Sequence, residues 1–305
     1  MKLNLIAAGT WLAACIASAQ AAPLIIQDAY VRSGVSDMAG TLGSNGSTTP
    51  GILFDPTGTG NYGNNDFLTP GTPFEGFYFT ADQGQWASNN DGNVTAIVSP
   101  FALTQNSPTM ATATSTTSDG RFRIVHTYTV ARIGTRSEIQ ITTTLTNTSA
   151  APITGLKALR VLDPDPDVNT YSSYETINTV QSPTRVCGTG TLTQQTICLY
   201  APSPSYPVGV GISDYSWSTN PDDYLGGMNF GNGDNVIGLA FNIGTVAPAA
   251  SAVLRYRYIL SDTIENSAPS ETAVPVPVGG LGSVLFTVIG IVGMAGYLTR
   301  RKAVG

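Results

Sequence analysis

The sequence predicts an all-β protein, a single large antiparallel β-sandwich bounded by an N-terminal signal peptide and a C-terminal transmembrane helix. Three observations carry this. Only 11% of the 305 residues are charged, while Gly (33) and Pro (19) are abundant; helical bundles and coiled coils need Glu, Lys and Arg on their wet faces. Several short runs place apolar residues at every second position, the period of a half-buried strand. Between them stand clusters such as residues 89–92 (Asn-Asn-Asp-Gly) and 231–234 (Gly-Asn-Gly-Asp), the composition of tight turns.

Taken in order, residues 1–21 have the three parts of a secretory signal: Lys2, an apolar stretch from 5 to 16, and small residues at Ala17, Ala19 and Ala21 for a signal peptidase. Leu12-Ala-Ala-Cys15 inside it resembles a bacterial lipobox, which would instead anchor the chain through Cys15. The sandwich is expected over residues 22–265. Its strands are read at 24–31, 74–80, 94–98, 121–130, 138–145, 156–162, 236–241 and 253–260. In 121–130 Phe122, Ile124, His126, Tyr128 and Val130 share one face; 138–145 repeats the alternation, and the two pair as a hairpin around Ile133-Gly-Thr135. Residues 34–72, rich in Gly, Ser, Thr and Asn, read as long loops at one end of the sheets, where binding surfaces concentrate.

Cys187 and Cys198 flank a Gly-Thr-Gly turn in two β-prone runs. In an exported chain such a pair is expected to form a disulfide worth on the order of 2–3 kcal/mol. Two cysteines without a second His or Cys cluster cannot complete a zinc site.

Residues 266–277 form a Ser/Pro linker ending in Val274-Pro275-Val276-Pro277. An uncharged apolar stretch follows over 278–298, long enough to span a bilayer. Arg300, Arg301 and Lys302 lie in the tail, 299–305, and are expected to hold it in the cytoplasm with the body facing outward. This proline motif, apolar helix and basic end resemble the C-terminal sorting signals of Gram-negative bacteria built on Pro-Glu-Pro or Ile-Pro-Thr-Leu, although Val-Pro-Val-Pro departs from both. The resemblance implies an exosortase as processing partner; a plain single-pass anchor needs only the apolar stretch. Residues 145–149, 156–167 and 241–248 are similar to β-sandwich modules of exported proteins carrying such tails. That resemblance implies a sandwich at the surface and assigns no active-site residue.

Chemistry-bearing residues are sparse. Asp163, Asp165, Asp167 and Asn169 lie at every second position of an Asp-Pro-Asp-Pro-Asp run and are candidate calcium ligands, against an acidic solvated loop. It is not an EF-hand: Pro164 and Pro166 hold the backbone extended, Val168 stands where that loop needs Gly, and its twelfth position is Tyr174. A second oxygen-rich loop, 214–235, contains Asp222, Asp223, Asn229, Asn232 and Asp234. His126, the only histidine, falls on a core face. Trp86, Tyr215, Trp217 and Tyr224 lie near loops, either as core or as faces on which a sugar ring stacks.

Four of the 14 basic residues (Lys2, Arg300, Arg301, Lys302) belong to the terminal segments, leaving ten against 20 acids. Such a chain repels phosphate backbones, which excludes nucleic acid as a partner. The expectation is an exported protein, periplasmic or at the cell surface, anchored in the inner membrane at least before processing. It meets the export machinery and a signal peptidase, and serves as a surface or extracellular-matrix protein without catalytic activity. The alternative is a carbohydrate-active protein, either a polysaccharide-binding module or a glycosidase, with the Trp217 loop as its surface. A glycan array and an assay of polysaccharide turnover separate the two.

Overall fold

A computed structural model describes residues 23–268 except 46–47, 65, 70–74, 92 and 135. The expected signal peptide with Cys15, the segment Val274 to Pro277, the 278–298 helix and the basic cluster Arg300, Arg301 and Lys302 lie outside these residues. No helix among the described residues is long and apolar enough to cross a membrane.

The first strands, β1 (Leu24–Gln27), β2 (Val31–Val35) and β3 (Ile52–Phe54), form a small antiparallel sheet. The run read as one strand over 24–31 is broken because Asp28 Oδ1 accepts from the amides of Tyr30 and Val31 at 2.7 and 2.8 Å, folding the chain back. Next come β4 (Glu75–Ala81), β5 (Gly84–Asn89), β6 (Val94–Thr95), β7 (Ala102–Ser107), β8 (Met110–Thr116), β9 (Phe122–Ile133), β10 (Arg136–Asn147) and β11 (Ile153–Leu162). The expected 94–98 strand stops at Thr95, where Ala96 takes φ +57°. After helix α1 (Val168–Tyr171) follow β12 (Thr176–Ser182), β13 (Arg185–Gly190), β14 (Thr196–Tyr200) and β15 (Val208–Asp214). Helix α2 (Pro221–Leu225), β16 (Asn235–Val246) and β17 (Ser251–Ser261) complete the body.

Two large antiparallel sheets result, an eight-stranded one ordered β12-β13-β14-β17-β10-β9-β8-β7 and a six-stranded one ordered β15-β16-β11-β4-β5-β6. The β9–β10 hairpin closes with Ile133 opposite Arg136, and Gly134 at φ +63° supplies the left-handed residue so tight a turn requires. The core lies between the sheets. Phe77, Phe79 and Trp86 from the six-stranded sheet meet Phe122 and His126 from the other, with Phe79 and Phe122 edge-on at 5.4 Å.

Period two also buries a charge. Ala158, Arg160 and Leu162 of β11 share the inward face, so Arg160 enters the core. There it donates to the Glu75 carboxylate from Nε and, at 2.6 Å, from Nη2. Glu75 further accepts from the Tyr258 hydroxyl (2.7 Å) and the Leu42 amide (2.8 Å). Burial works against the Arg160 charge, and the adjacent Glu75 carboxylate outweighs it, holding the guanidinium protonated. His126 packs beside this network with Nδ1 2.9 Å from Thr143 Oγ1; burial, then Arg160, lowers its pKa and keeps it neutral.

Cys187 and Cys198 stand directly opposite each other in the β13–β14 ladder and form a disulfide, with Cα atoms 4.0 Å apart. Val186, Ile197 and Leu199 point into the main core, whereas the disulfide packs with Ile259 in a separate cluster.

Candidate functional site: an acidic, aromatic-lined cleft

The opposite face of the six-stranded sheet is also apolar at its centre. Tyr78 of β4, Leu159 and Val161 of β11, and Val236 and Ala240 of β16 alternate away from the main core and would be wet without a cover. The chain between β15 and β16 supplies it. Asn220 caps α2 by accepting from the Asp222 amide at 3.2 Å, and Pro221 occupies the first turn. Tyr224 is thereby driven into the sheet, its hydroxyl donating to Ser213 Oγ (3.0 Å) and the Ser218 carbonyl (3.1 Å). The sheet is shaped for this: a Cβ at Gly238 would lie 2.2 Å from the Tyr224 ring, and one at Gly209 2.5 Å from Leu225 Cα. Lys157 of β11 fastens the helix through Asp222 at 2.6 and 2.7 Å.

The segment entering α2 holds Trp217 over the same face. Asp214 Oδ1 accepts from the Ser216 hydroxyl (2.6 Å), and the Asp214 carbonyl from the Trp217 amide (2.9 Å). Trp217 sits at φ +36°, a left-handed conformation costing a bulky residue about 1–2 kcal/mol. It lines two hollows. One, of about 340 Å³, is floored by Tyr78, Thr80, Gln85, Ala87 and Asn89, the outward positions of β4 and β5, with Asn93 and Thr219 at its margin. The other, of about 310 Å³, is formed by Asp163, Asp165, Asp234, Tyr174, Tyr215 and Ser216 together with Trp217.

The acids arrive there by strand register. Asp163 follows Val161 at the same parity, and Asp234 precedes Val236 likewise. Leu162 and Ile237 form the last rung of the β11–β16 ladder, so the chain leaving β11 and the chain entering β16 run from neighbouring strand ends. Carboxylate oxygens of Asp163, Asp165 and Asp234 lie within 4.8 Å of one another. Asp165 is 3% exposed, and its Oδ1 has no hydrogen-bond partner. Burial, then repulsion from Asp234, pushes Asp163 up to about 7. Burial, then Asp163 and Asp234, pushes Asp165 up to about 9. Asp234 is raised as well, by burial and then by Glu175.

The four expected calcium ligands are therefore split. Asp163 and Asp165 face the cleft, where Asp234, read from sequence as part of a second oxygen-rich loop, joins them. Asp167 turns to the 191–194 turn, accepting from the amides of Leu192 (2.8 Å) and Thr193 (3.0 Å) and from the Thr193 hydroxyl (2.5 Å). Asn169 donates its side-chain amide to the Thr69 carbonyl. The aromatics divide too: Trp86 is core, stacked on Phe79 at 4.9 Å, and Tyr224 is buried under α2, while Tyr215, 69% exposed, and Trp217 border the cleft. Asp222 and Asp223 belong to α2, and Asn229 and Asn232 bond within their own segment or to Asn178.

No protein-family model and no curated protein matches the chain. Solved structures are similar to it in fold. A bacterial glucoamylase complexed with acarbose shares 10% identity at a TM-score of 0.49, over 81% of this chain and 34% of that one. A putative aldose 1-epimerase from Escherichia coli K12 shares 10% identity at 0.43, over 78% and 98%. A galactose mutarotase-like protein from Lactobacillus casei also shares 10% at 0.43, over 78% and 99%. The chain thus spans about a third of the length of the glucoamylase it matches. The expectation of a surface or matrix protein without catalytic activity is not carried forward: the matched structures bear the names of a glucoamylase, a putative aldose 1-epimerase and a galactose mutarotase-like protein. Likeness at this level assigns no chemistry to this chain.

Proposed function

We propose that the protein is a carbohydrate-active enzyme that takes a glycan across the Trp217 cleft. The observation that carries this is the arrangement itself: one partly exposed indole shared by two adjoining hollows, amide and hydroxyl side chains in one, and three carboxyls in the other. Sugars are recognised by an aromatic face against the apolar side of the ring and by planar polar groups on the hydroxyls. A tryptophan held in a costly backbone conformation at the mouth of a cleft is the kind of strain that persists at binding sites. The acidic end is where a bound sugar would meet groups able to polarise or hydrolyse it. The Cys187–Cys198 disulfide fits a chain that matures in an oxidising compartment, where extracytoplasmic glycans are found.

The test is a panel of neutral and acidic oligosaccharides scored for binding and for product. At least one should bind and be turned over, and Trp217→Ala should weaken that binding about tenfold, the loss of one stacking contact. A panel that shows neither binding nor product, or a Trp217→Ala protein that binds as well as the parent, overturns the reading.

A further inference from the structure

Two carboxyls buried beside a third, half-buried one call for something positive, and the charged groups that act on them are not cations. The groups acting electrostatically on Asp163, Asp165 and Asp234 are all acids: one another and Glu175. The basic side chains in ion pairs, Arg121, Arg136, Lys157, Arg160 and Arg257, are paired with other acids. Ordinary structural carboxylates in this protein look different. Asp66 is buried and accepts from the amides of Gly51, Ile52 and Leu68, and Asp167 is similarly satisfied. Asp165 is as deeply buried, yet its Oδ1 is left without a partner in a site facing two more carboxylates.

From this geometry we infer that Asp163, Asp165 and Asp234 hold a calcium ion in the cleft beside Trp217. Three hard oxygen donors of separate residues are what calcium takes, and at Ca–O distances of about 2.3–2.6 Å two ligands of one ion lie at most about 5.2 Å apart. The oxygens here, within 4.8 Å, already meet that limit. Magnesium, at about 2.1 Å, has a shorter limit of about 4.2 Å and demands a stricter octahedron. Three carboxylates leave coordination positions open toward the hollow for water or ligand oxygens. Because the ion is held by protein groups alone, the inference goes beyond the glycan reading and is tested without any sugar.

The experiment is calorimetric titration of calcium chloride into the full chain stripped with chelator, paired with thermal melts at each calcium concentration. One ion per chain should bind and raise the melting temperature. Asp165→Asn and Asp234→Asn should each weaken binding at least tenfold. Asp234 is only half-buried, so its variant keeps the test valid if Asp165→Asn folds poorly. Asp119→Asn, which alters an acid paired with Arg121 away from the cleft, should leave the affinity unchanged. No binding up to on the order of 10 mM calcium, the weak end for extracellular sites, would mean the trio is relieved by protons alone and would overturn the inference. Equal affinity in parent and both trio variants would overturn it too, by placing the ion elsewhere.

Discussion

Asp165 illustrates how a single side chain couples charge to stability. Its carboxyl, like that of Asp163, has a folded-state pKa raised above the ordinary value near 3.8, to about 9 for Asp165 and about 7 for Asp163. A raised acid contributes stability that is complete below the unfolded value and is lost as pH rises through the folded one. Without calcium, the chain should therefore lose stability on going from pH 4 to pH 9. Asp165→Asn should abolish much of that loss: in chelator at pH 8 the variant should melt several degrees above the parent, at about 2–4 °C per kcal/mol for a chain of this size, and at pH 4 the two should coincide. A parent melting temperature flat between these pH values would refute this. The alternating run made Asp163 and Asp165 visible as a pair. It could not show that Asp167 and Asn169 turn to other backbones, because alternation across two prolines does not say which neighbour each side chain finds. Asp234 was legible as one oxygen of a second, weaker loop, but nothing local to it reveals that it joins Asp163 and Asp165.

Helix α2 decides whether Trp217 has a platform, and its seat depends on what the sheet beneath it lacks. Gly238→Ala would put a methyl 2.2 Å from the Tyr224 ring, so either the ring or the helix must move, at a cost of about 1–3 kcal/mol. Urea denaturation should show that loss. In combination with Tyr224→Ala the two costs should add to less than their sum, because the clash disappears with the ring; strict additivity would show that Gly238 matters for another reason. Strands with apolar alternation, β9 and β10 above all, were plain in the sequence. Strands β7, β8 and β12 were not: Ala-Leu-Thr-Gln-Asn-Ser, Met-Ala-Thr-Ala-Thr-Ser-Thr and Thr-Ile-Asn-Thr-Val-Gln-Ser carry small or polar residues on both faces. They form because neighbouring strands offer them a ladder, which composition does not announce.

Across the whole molecule, the buried Glu75–Arg160 pair joins parts distant in sequence. It links β4 and β11 of one sheet to Tyr258 of the other and to the loop amide of Leu42. Charge in a core is the reverse of what apolar alternation leads one to expect, and only the assembled sandwich shows its partners. The sheet order has a consequence for how the chain comes into being. Strand β17, the last of the described strands to be synthesised, lies in the interior of the eight-stranded sheet, hydrogen-bonded to β14 on one side and β10 on the other. Until it emerges, β12–β14 and β7–β10 have no shared ladder, so the sandwich cannot be finished from its N-terminal end. A chain ending at residue 250 should lack cooperative unfolding, whereas one ending at residue 268 should retain it; circular dichroism through a thermal ramp distinguishes them. The eight-stranded sheet accordingly stays in two pieces until β17 is available. For that interval two long strand borders stand unpaired, inviting either their proper occupant or a second nascent chain.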